Sequence, residues 1–207
     1  MQGINRRSAV AMCSAAFLAS LTGGCVTVEN SLRKEDVASF KLTSVAVRYK
    51  PDAAISWDDA VRAYGTAKGI PDQELAEASN SPEAKAHART YLAGRIKTAL
   101  ERNLSPKIAG TRPVRLEIVV GSFTIASAVQ RIVIGGSHVM IADAVLVDAR
   151  TGAQLVSYPN LGVVVAAGQG IVGTAVQAAV DAAQELGPAD RVLNTYSERY
   201  SAWLLRA

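Results

Sequence analysis

Pro113-Val114-Arg115-Leu116-Glu117-Ile118-Val119-Val120 carries the reading of the fold. Val114, Leu116, Ile118 and Val120 alternate with Arg115, Glu117 and Val119. A two-residue period of this kind buries one face of a β-strand and leaves the other in water. Gly121 marks a candidate bulge, and Phe123 to Ala128 reads as the strand's continuation. The apolar run Ile132-Val133-Ile134 follows, then a turn at Gly135-Gly136-Ser137. Val139 to Val147 is a second strand, apolar on both faces apart from Asp143. Asp148-Ala149-Arg150-Thr151-Gly152 is a hairpin loop with glycine where a positive φ is wanted. Gln154 to Tyr158 returns as the next strand, and Pro159 is expected to stop it.

Upstream, Ser81-Pro82-Glu83 combines a cap, a proline at the first helical position and an acid in the first turn. The helix it opens should reach about Asn103, with Ala88, Leu92, Ile96, Ala99 and Leu100 as its buried stripe. Arg89, Arg95, Lys97 and Arg102 lie off that stripe and read as a solvated face, or as one that meets anionic lipid or a partner. Phe40-Lys41-Leu42 and Val45 to Tyr49 form the first strand, which Pro51 and Asp52 should end. Residues 51–80 are an irregular helical insertion. Ser56 can cap a short helix there with Trp57, Val61 and Tyr64 on one side, broken by Gly65, Gly69 and Pro71. A second short helix covers Asp72 to Ala78, and Trp57 packs the insertion down. Its alternative use is partner specificity.

Downstream, no charge occurs from Thr151 to Val180. Val172, Ala175, Val176, Ala179, Ala183 and Leu186 make an apolar helical stripe. A last helix from Pro188 to Leu205 places Val192, Tyr196, Tyr200, Trp203 and Leu204 near one face. Together these elements predict an α+β fold: a mainly antiparallel sheet of about four or five strands, helices packed on one face, and a C-terminal helix. One domain is expected over residues 39–207.

The N-terminus has a different character. Arg6 and Arg7 precede an uncharged, mostly apolar run from Ala9 to Ser20, and small residues then lead to Cys25. These are the parts of an export signal, and the run is too short for a bilayer span of about 20 residues. Leu21-Thr22-Gly23-Gly24-Cys25 resembles the lipobox of bacterial lipoproteins, with Thr22 where that family prefers Leu. The resemblance implies a signal peptide over 1–24, cleavage between Gly24 and Cys25, and acylation of Cys25. Residues 25–38 then read as a tether from lipid to fold. Val26, in place of an Asp that signals inner-membrane retention, implies the outer membrane, facing the periplasm. The alternatives are ordinary secretion with a free Cys25 thiol, a retained N-terminal anchor, and a twin-arginine route through Asn5-Arg6-Arg7-Ser8. The order of elements with its Asp148–Gly152 hairpin also resembles the small α/β domain of several envelope lipoproteins. These include the curli secretion lipoprotein, the amino-terminal domain of TolB and uncharacterised periplasmic lipoproteins.

Composition narrows the function classes. Without residues 1–24, 183 of the 207 residues remain, enough for a real core. Loss of Arg6 and Arg7 leaves 20 cations against 18 acids, a net charge of +2. No basic run or aromatic–basic interleaving remains, so no nucleic-acid partner is expected. Cys13 leaves with the signal and Cys25 carries lipid, which leaves no disulfide.

Gly168-Gln169-Gly170-Ile171-Val172-Gly173 spells the dinucleotide pattern, but Gly187-Pro188 follows its helix instead of a second strand. Asp190, about where the ribose-binding acid should stand, opens a helix. The glycines read as close helix–sheet packing, and no cofactor is expected. Leu161 to Val180 could alternatively be a 20-residue membrane-inserting or oligomerising segment. His87 and His138 are the two histidines, too few for a zinc site without Cys25. Ser137, His138 and Asp143 supply the residue types of a hydrolytic triad, yet adjacent strand residues point to opposite faces. Asp143 should face solvent or pair with Arg131 or Arg115, and Asp58-Asp59 fits a first helical turn. The expectation is a lipid-anchored envelope protein without a catalytic site that works by binding, in assembly, scaffolding or maintenance of an envelope complex. Its membrane contact is the acylated Cys25 and its envelope partner is unspecified. The alternatives are an oligomeric subunit of a secretion or transport apparatus, and a nucleotide-binding enzyme.

Overall fold

The structure, a computed structural model, describes residues 28–133, 135–168, 173, 175–177, 179 and 186–206. Elements follow in the order α1 (Lys34–Ser39), β1 (Phe40–Ser56), α2 (Asp58–Lys68), a 3-10 turn (Asp72–Glu74), α3 (Leu75–Ala78) and α4 (Pro82–Leu104). Then come β2 (Arg112–Thr124), α5 (Ala128–Val133), β3 (Ser137–Asp148), β4 (Gln154–Ala166) and α6 (Pro188–Leu205). The sheet has the order β1-β2-β3-β4. β2–β3 and β3–β4 are antiparallel, whereas β1 and β2 run parallel. The α2–α4 stretch is the long crossover a parallel pair requires. The α+β class and mainly antiparallel sheet hold, with the β1–β2 pair as an addition.

Alternation in β2 works as the sequence implies. Val114, Leu116, Ile118 and Val120 are fully buried, while Arg115, Glu117 and Val119 are half-buried. Across from them α4 buries Leu92, Ile96, Ala99, Leu100 and Leu104. Beside it α6 buries Val192, Leu193, Tyr196, Tyr200 and Leu204. These two helices pack on each other and on one face of the sheet, α4 over β1 and α6 over β3 and β4. Ser81 caps α4, its Oγ accepting the Ala84 N–H at 3.1 Å. The cations off the α4 stripe are partly engaged: Arg95 pairs with Asp190, and Arg102 donates to Asn194 Oδ1 at 2.6 Å. They fasten α6 to α4.

Several boundaries differ from the sequence reading. β1 does not end at Pro51-Asp52 but continues to Ser56. It is an edge strand bonded only to β2, and its register slips between Tyr49 and Ala54, where one β2 residue, Gly121, faces four. Proline's missing N–H is harmless in such a bulge. β4 likewise passes Pro159 and takes in Leu161 to Ala166. There Pro159 and Asn160 face the single residue Asp143, and Asn160 adopts a φ of 50°. Asp143 Oδ1 accepts the Asn160 N–H at 2.7 Å, and Lys50 Nζ lies 3.0 Å from its other oxygen. The partner of Asp143 is therefore Lys50, not Arg131 or Arg115.

Ser56 does not cap α2. It stays in β1, its carbonyl accepting the Ile125 N–H, and Trp57 occupies the cap position. α2 passes Gly65 and stops at Gly69, φ 67°. Trp57 does pack the insertion down, with ring contacts to Tyr91 and Phe123. β2 ends at Thr124 rather than at Ala128. Ile132 and Val133 are helical because Ser127 Oγ accepts the Gln130 N–H and starts α5. At the Asp148–Gly152 hairpin, Asp148 Oδ1 accepts the N–H groups of Arg150 and Thr151, and Gly152 has φ 74°. Those N–H groups first, and then Arg112, hold the Asp148 carboxyl below the usual carboxylate range.

Candidate functional site

The sheet gives the molecule two unlike ends. At one lie the starts of β1, β2 and β4, the end of β3 and the C-termini of α4 and α6. The other holds α5, the end of β4 and the start of α6. α6 has 18 residues and runs between the two ends, about 27 Å at 1.5 Å per residue.

The first end receives the N-terminal segment. Trp203 Nε1 donates to the Val28 carbonyl at 2.7 Å. Asn30 is buried, and its Nδ2 donates to the carbonyls of Trp203 and Leu204 at 3.0 Å each. Those are carbonyls of the last helical turn, which is short of donors; that of Trp203 also accepts the Arg206 N–H at 3.4 Å. Asn30 Oδ1 accepts the Leu32 N–H, and Arg206 donates to the carbonyls of Asn30 and Leu32. From Val28 onward the expected tether is thus fastened to the body by side chains from both termini. Cys25 and Gly24 lie outside the described residues.

The opposite end carries exposed apolar side chains beside Gln130, Arg131 and Arg191. In α5, Val129 is 71% exposed, Val133 72% and Ile132 44%. None of the six α5 residues is buried. Val164, near the end of β4, is 69% exposed, and Ile141 on the sheet face away from α4 and α6 is 37% exposed. Isolated exposed valines are ordinary, whereas a contiguous apolar patch is a candidate contact surface.

A cleft of about 370 Å³ opens between the second half of β1, α2 and α4, with Trp57, Asp58, Ser79, Lys85 and Arg89 among its lining. Ser79 Oγ donates to the Ala76 carbonyl at 2.8 Å, which leaves it bound to backbone instead of to a base. Behind Arg89, Tyr49 is covered by α4 and its hydroxyl donates to the Arg89 carbonyl at 2.5 Å. Burial pushes that hydroxyl up to about 12. The neutral phenol is favoured by folding, so its contribution is complete below the unfolded value near 10 and is lost as pH rises from about 10 to 12. Burial also raises Tyr196 and Tyr200, which extends the loss to higher pH. Urea midpoints measured from pH 9 to 12 should fall with pH, and Tyr49→Phe should flatten the fall.

The other sequence candidates are dispersed. His138 is buried on the core face, its Nδ1 accepting the Ala126 N–H at 3.1 Å. Ser137 is exposed, and Asp143 lies on the opposite sheet face with Lys50, so the three triad residue types do not converge. His87 stacks near Tyr91 on α4. Among the described residues no three His, Cys, Asp or Glu gather around a metal position. Of the glycine motif, Gly168, φ 77°, and Gly173 are described, and the four residues between lie outside the described set. Asp190 is committed to Arg95. The membrane-span reading fails at its start, where Leu161 to Ala166 is strand. No helix among the described residues is long and apolar enough to cross a membrane. The apolar end and the fastened N-terminal segment were both missed in the sequence. Ile132 and Val133 read only as an apolar run before a turn, Val129 carried no signal, and Asn30 stands in a polar stretch with no periodic pattern.

No family model matches the sequence, and no curated protein matches it. Solved structures similar to parts of the chain include the following three. One is a candidate lipoprotein from Caulobacter crescentus CB15, 17% identical, covering 56% of this chain and 81% of that one, with a TM-score of 0.33. A DUF330 protein from Xanthomonas campestris is 20% identical over 57% of this chain and 61% of its own, with a TM-score of 0.36. A PelC dodecamer from Paraburkholderia phytofirmans is 14% identical over 83% of this chain and 93% of its own, with a TM-score of 0.31.

Proposed function

We propose that the chain is a lipid-anchored protein of the cell envelope that works by binding, holding a partner protein in an envelope complex. In this reading residues 1–24 are removed, Cys25 is acylated, and the body faces the periplasm from the outer membrane. Val28 is already fastened to α6, so only Val26 and Thr27 separate the lipid-bearing cysteine from the body. At most about 3.6 Å per residue, the acylated residue stands within about 11 Å of the body. The body therefore sits close to the lipid surface with the C-terminus of α6 toward it.

The observation that carries the binding role is the position of the exposed Val129, Ile132, Val133 and Val164 at the far end from that anchor. An apolar surface held about 27 Å from the anchored end faces partners in the envelope, not the lipid. The same surface supports self-association as the second reading, a subunit of a secretion or transport apparatus. Size in mild detergent tests both. The native protein should migrate as a complex larger than a monomer in its micelle, and Val129→Asp with Val133→Asp should reduce it to that monomer. A defined homo-oligomer would select the second reading. A native protein already monomeric, or a complex indifferent to both aspartates, would contradict the role given to this surface.

A further inference from the structure

A small cleft lies at the anchored end. Its volume is about 200 Å³, and it is lined by Lys34, Val37, Ala38, Lys107, Leu204, Leu205 and Arg206. The floor is apolar, since Val37 and Leu204 are buried in the core. Three cations border it, from α1, from the turn after α4 and from the end of α6. Lys107 donates to Asn103 Oδ1 at 2.9 Å and to Ser201 Oγ at 3.1 Å. Arg206 donates to backbone carbonyls. These partners are neutral, so they orient both cations without cancelling their charge. Among the described residues no carboxylate lines the cleft. The nearby Asp36 is held by Arg33 through two contacts of 2.9 and 3.0 Å.

We propose that this cleft binds the headgroup phosphate of an anionic phospholipid in the membrane that carries the acylated Cys25. The inference rests on the lipid-anchor reading, which supplies the source of the phosphate. Three unneutralised donors over an apolar floor fit a phosphate ester whose chains continue into hydrocarbon. Ligand pockets for whole small molecules occupy about 300–1,000 Å³, so this smaller cleft suits a headgroup and leaves the acyl chains in the bilayer. With Val28 fastened beside Trp203, the short Val26-Thr27 link brings this end to the lipid surface. The lipid anchor and the headgroup contact then hold the body at two points, which fixes its tilt as well as its distance.

Native mass spectrometry of the full lipoprotein in detergent tests the site. Dioleoylphosphatidylglycerol, dioleoylphosphatidylcholine and inorganic phosphate are titrated as separate probes. Phosphatidylglycerol should form a one-lipid adduct well below the concentration at which phosphatidylcholine does. At roughly fivefold per surface cation, Lys34→Gln should weaken it about fivefold and Lys34→Gln with Lys107→Gln about 30-fold. Lys34 is exposed and contributes no bond to the core, so the single variant reads the site even if the double variant loses stability. Equal affinity for both lipids, adducts indifferent to Lys34→Gln, or phosphate binding as tight as lipid would overturn the proposal. The same spectra give the covalent mass at residue 25. Missing acyl chains there would overturn the anchor and the membrane source with it, while an acylated protein without selective adducts would overturn the cleft alone.

Discussion

Gly110→Ala destabilises the fold by about 3 kcal/mol, at the upper end of what overpacking usually costs. A Cβ at this position would overlap the carbonyl carbon and oxygen of Ser39 and stand 2.7 Å from the Ala38 carbonyl oxygen. The obstacle is backbone, which cannot rotate away as a side chain can. The two segments are also bonded here: Gly110 N–H donates to the Phe40 carbonyl at 2.7 Å and Thr111 N–H to the Ser39 carbonyl at 2.9 Å. To admit a methyl group, the junction of α1 and β1 must move off the start of β2 and strain both bonds. Phe40 is fully buried beside it, so displacement is transmitted into the core. For a chain of this length 1 kcal/mol corresponds to about 2–4 °C, and thermal unfolding should shift down by about 6–12 °C. A shift under about 2 °C would contradict the close approach. Gly152→Ala is the contrast: nothing lies within 4 Å of its added Cβ, and the penalty there comes only from a φ of +74°.

Asn30→Ala has the second largest effect, about 2 kcal/mol and about 4–8 °C. One side chain serves three groups, donating to the carbonyls of Trp203 and Leu204 and accepting from Leu32. Its loss leaves the Leu204 carbonyl without a donor in a buried place, which costs more than the net value of a bond. The consequence is local as well as global. Residues 28–33 should detach from α6, and limited trypsin digestion should then cut after Arg33 or Lys34 while the rest of the chain stays protected. Unchanged digestion would show that Arg206 and Trp203 hold the segment without Asn30.

The fold class could be read from the sequence because its signals are local. The two-residue alternation of Val114 to Val120, the Ser81-Pro82-Glu83 start and the Asp148–Gly152 loop each act within a few residues. They reappear as β2, α4 and the β3–β4 hairpin. Both strand boundaries at proline failed for one reason. Pro51 and Pro159 stop a strand only where the ladder needs their N–H, and both stand in bulges of edge strands. Edge position is a property of the sheet and cannot be seen in five residues. The same holds for Ile132 and Val133. Their β-branched side chains suggest strand, and the Ser127 cap decides otherwise.

The candidate surfaces were less legible still. Asn30 meets Trp203 across 173 positions, and the Lys50–Asp143 pair spans β2 in between. No spacing in the sequence encodes such contacts. The expected export signal of residues 1–24 lies outside the described residues, and its reading rests on linear sequence alone, as such signals do.

Intact mass and membrane fractionation of the native protein beside Cys25→Ala decide whether the chain is lipid-anchored. The native chain should begin at residue 25, carry acyl chains and sediment with membranes, and the variant should remain unprocessed at Gly24. A soluble mature chain with a free thiol at Cys25 would contradict the lipid anchor.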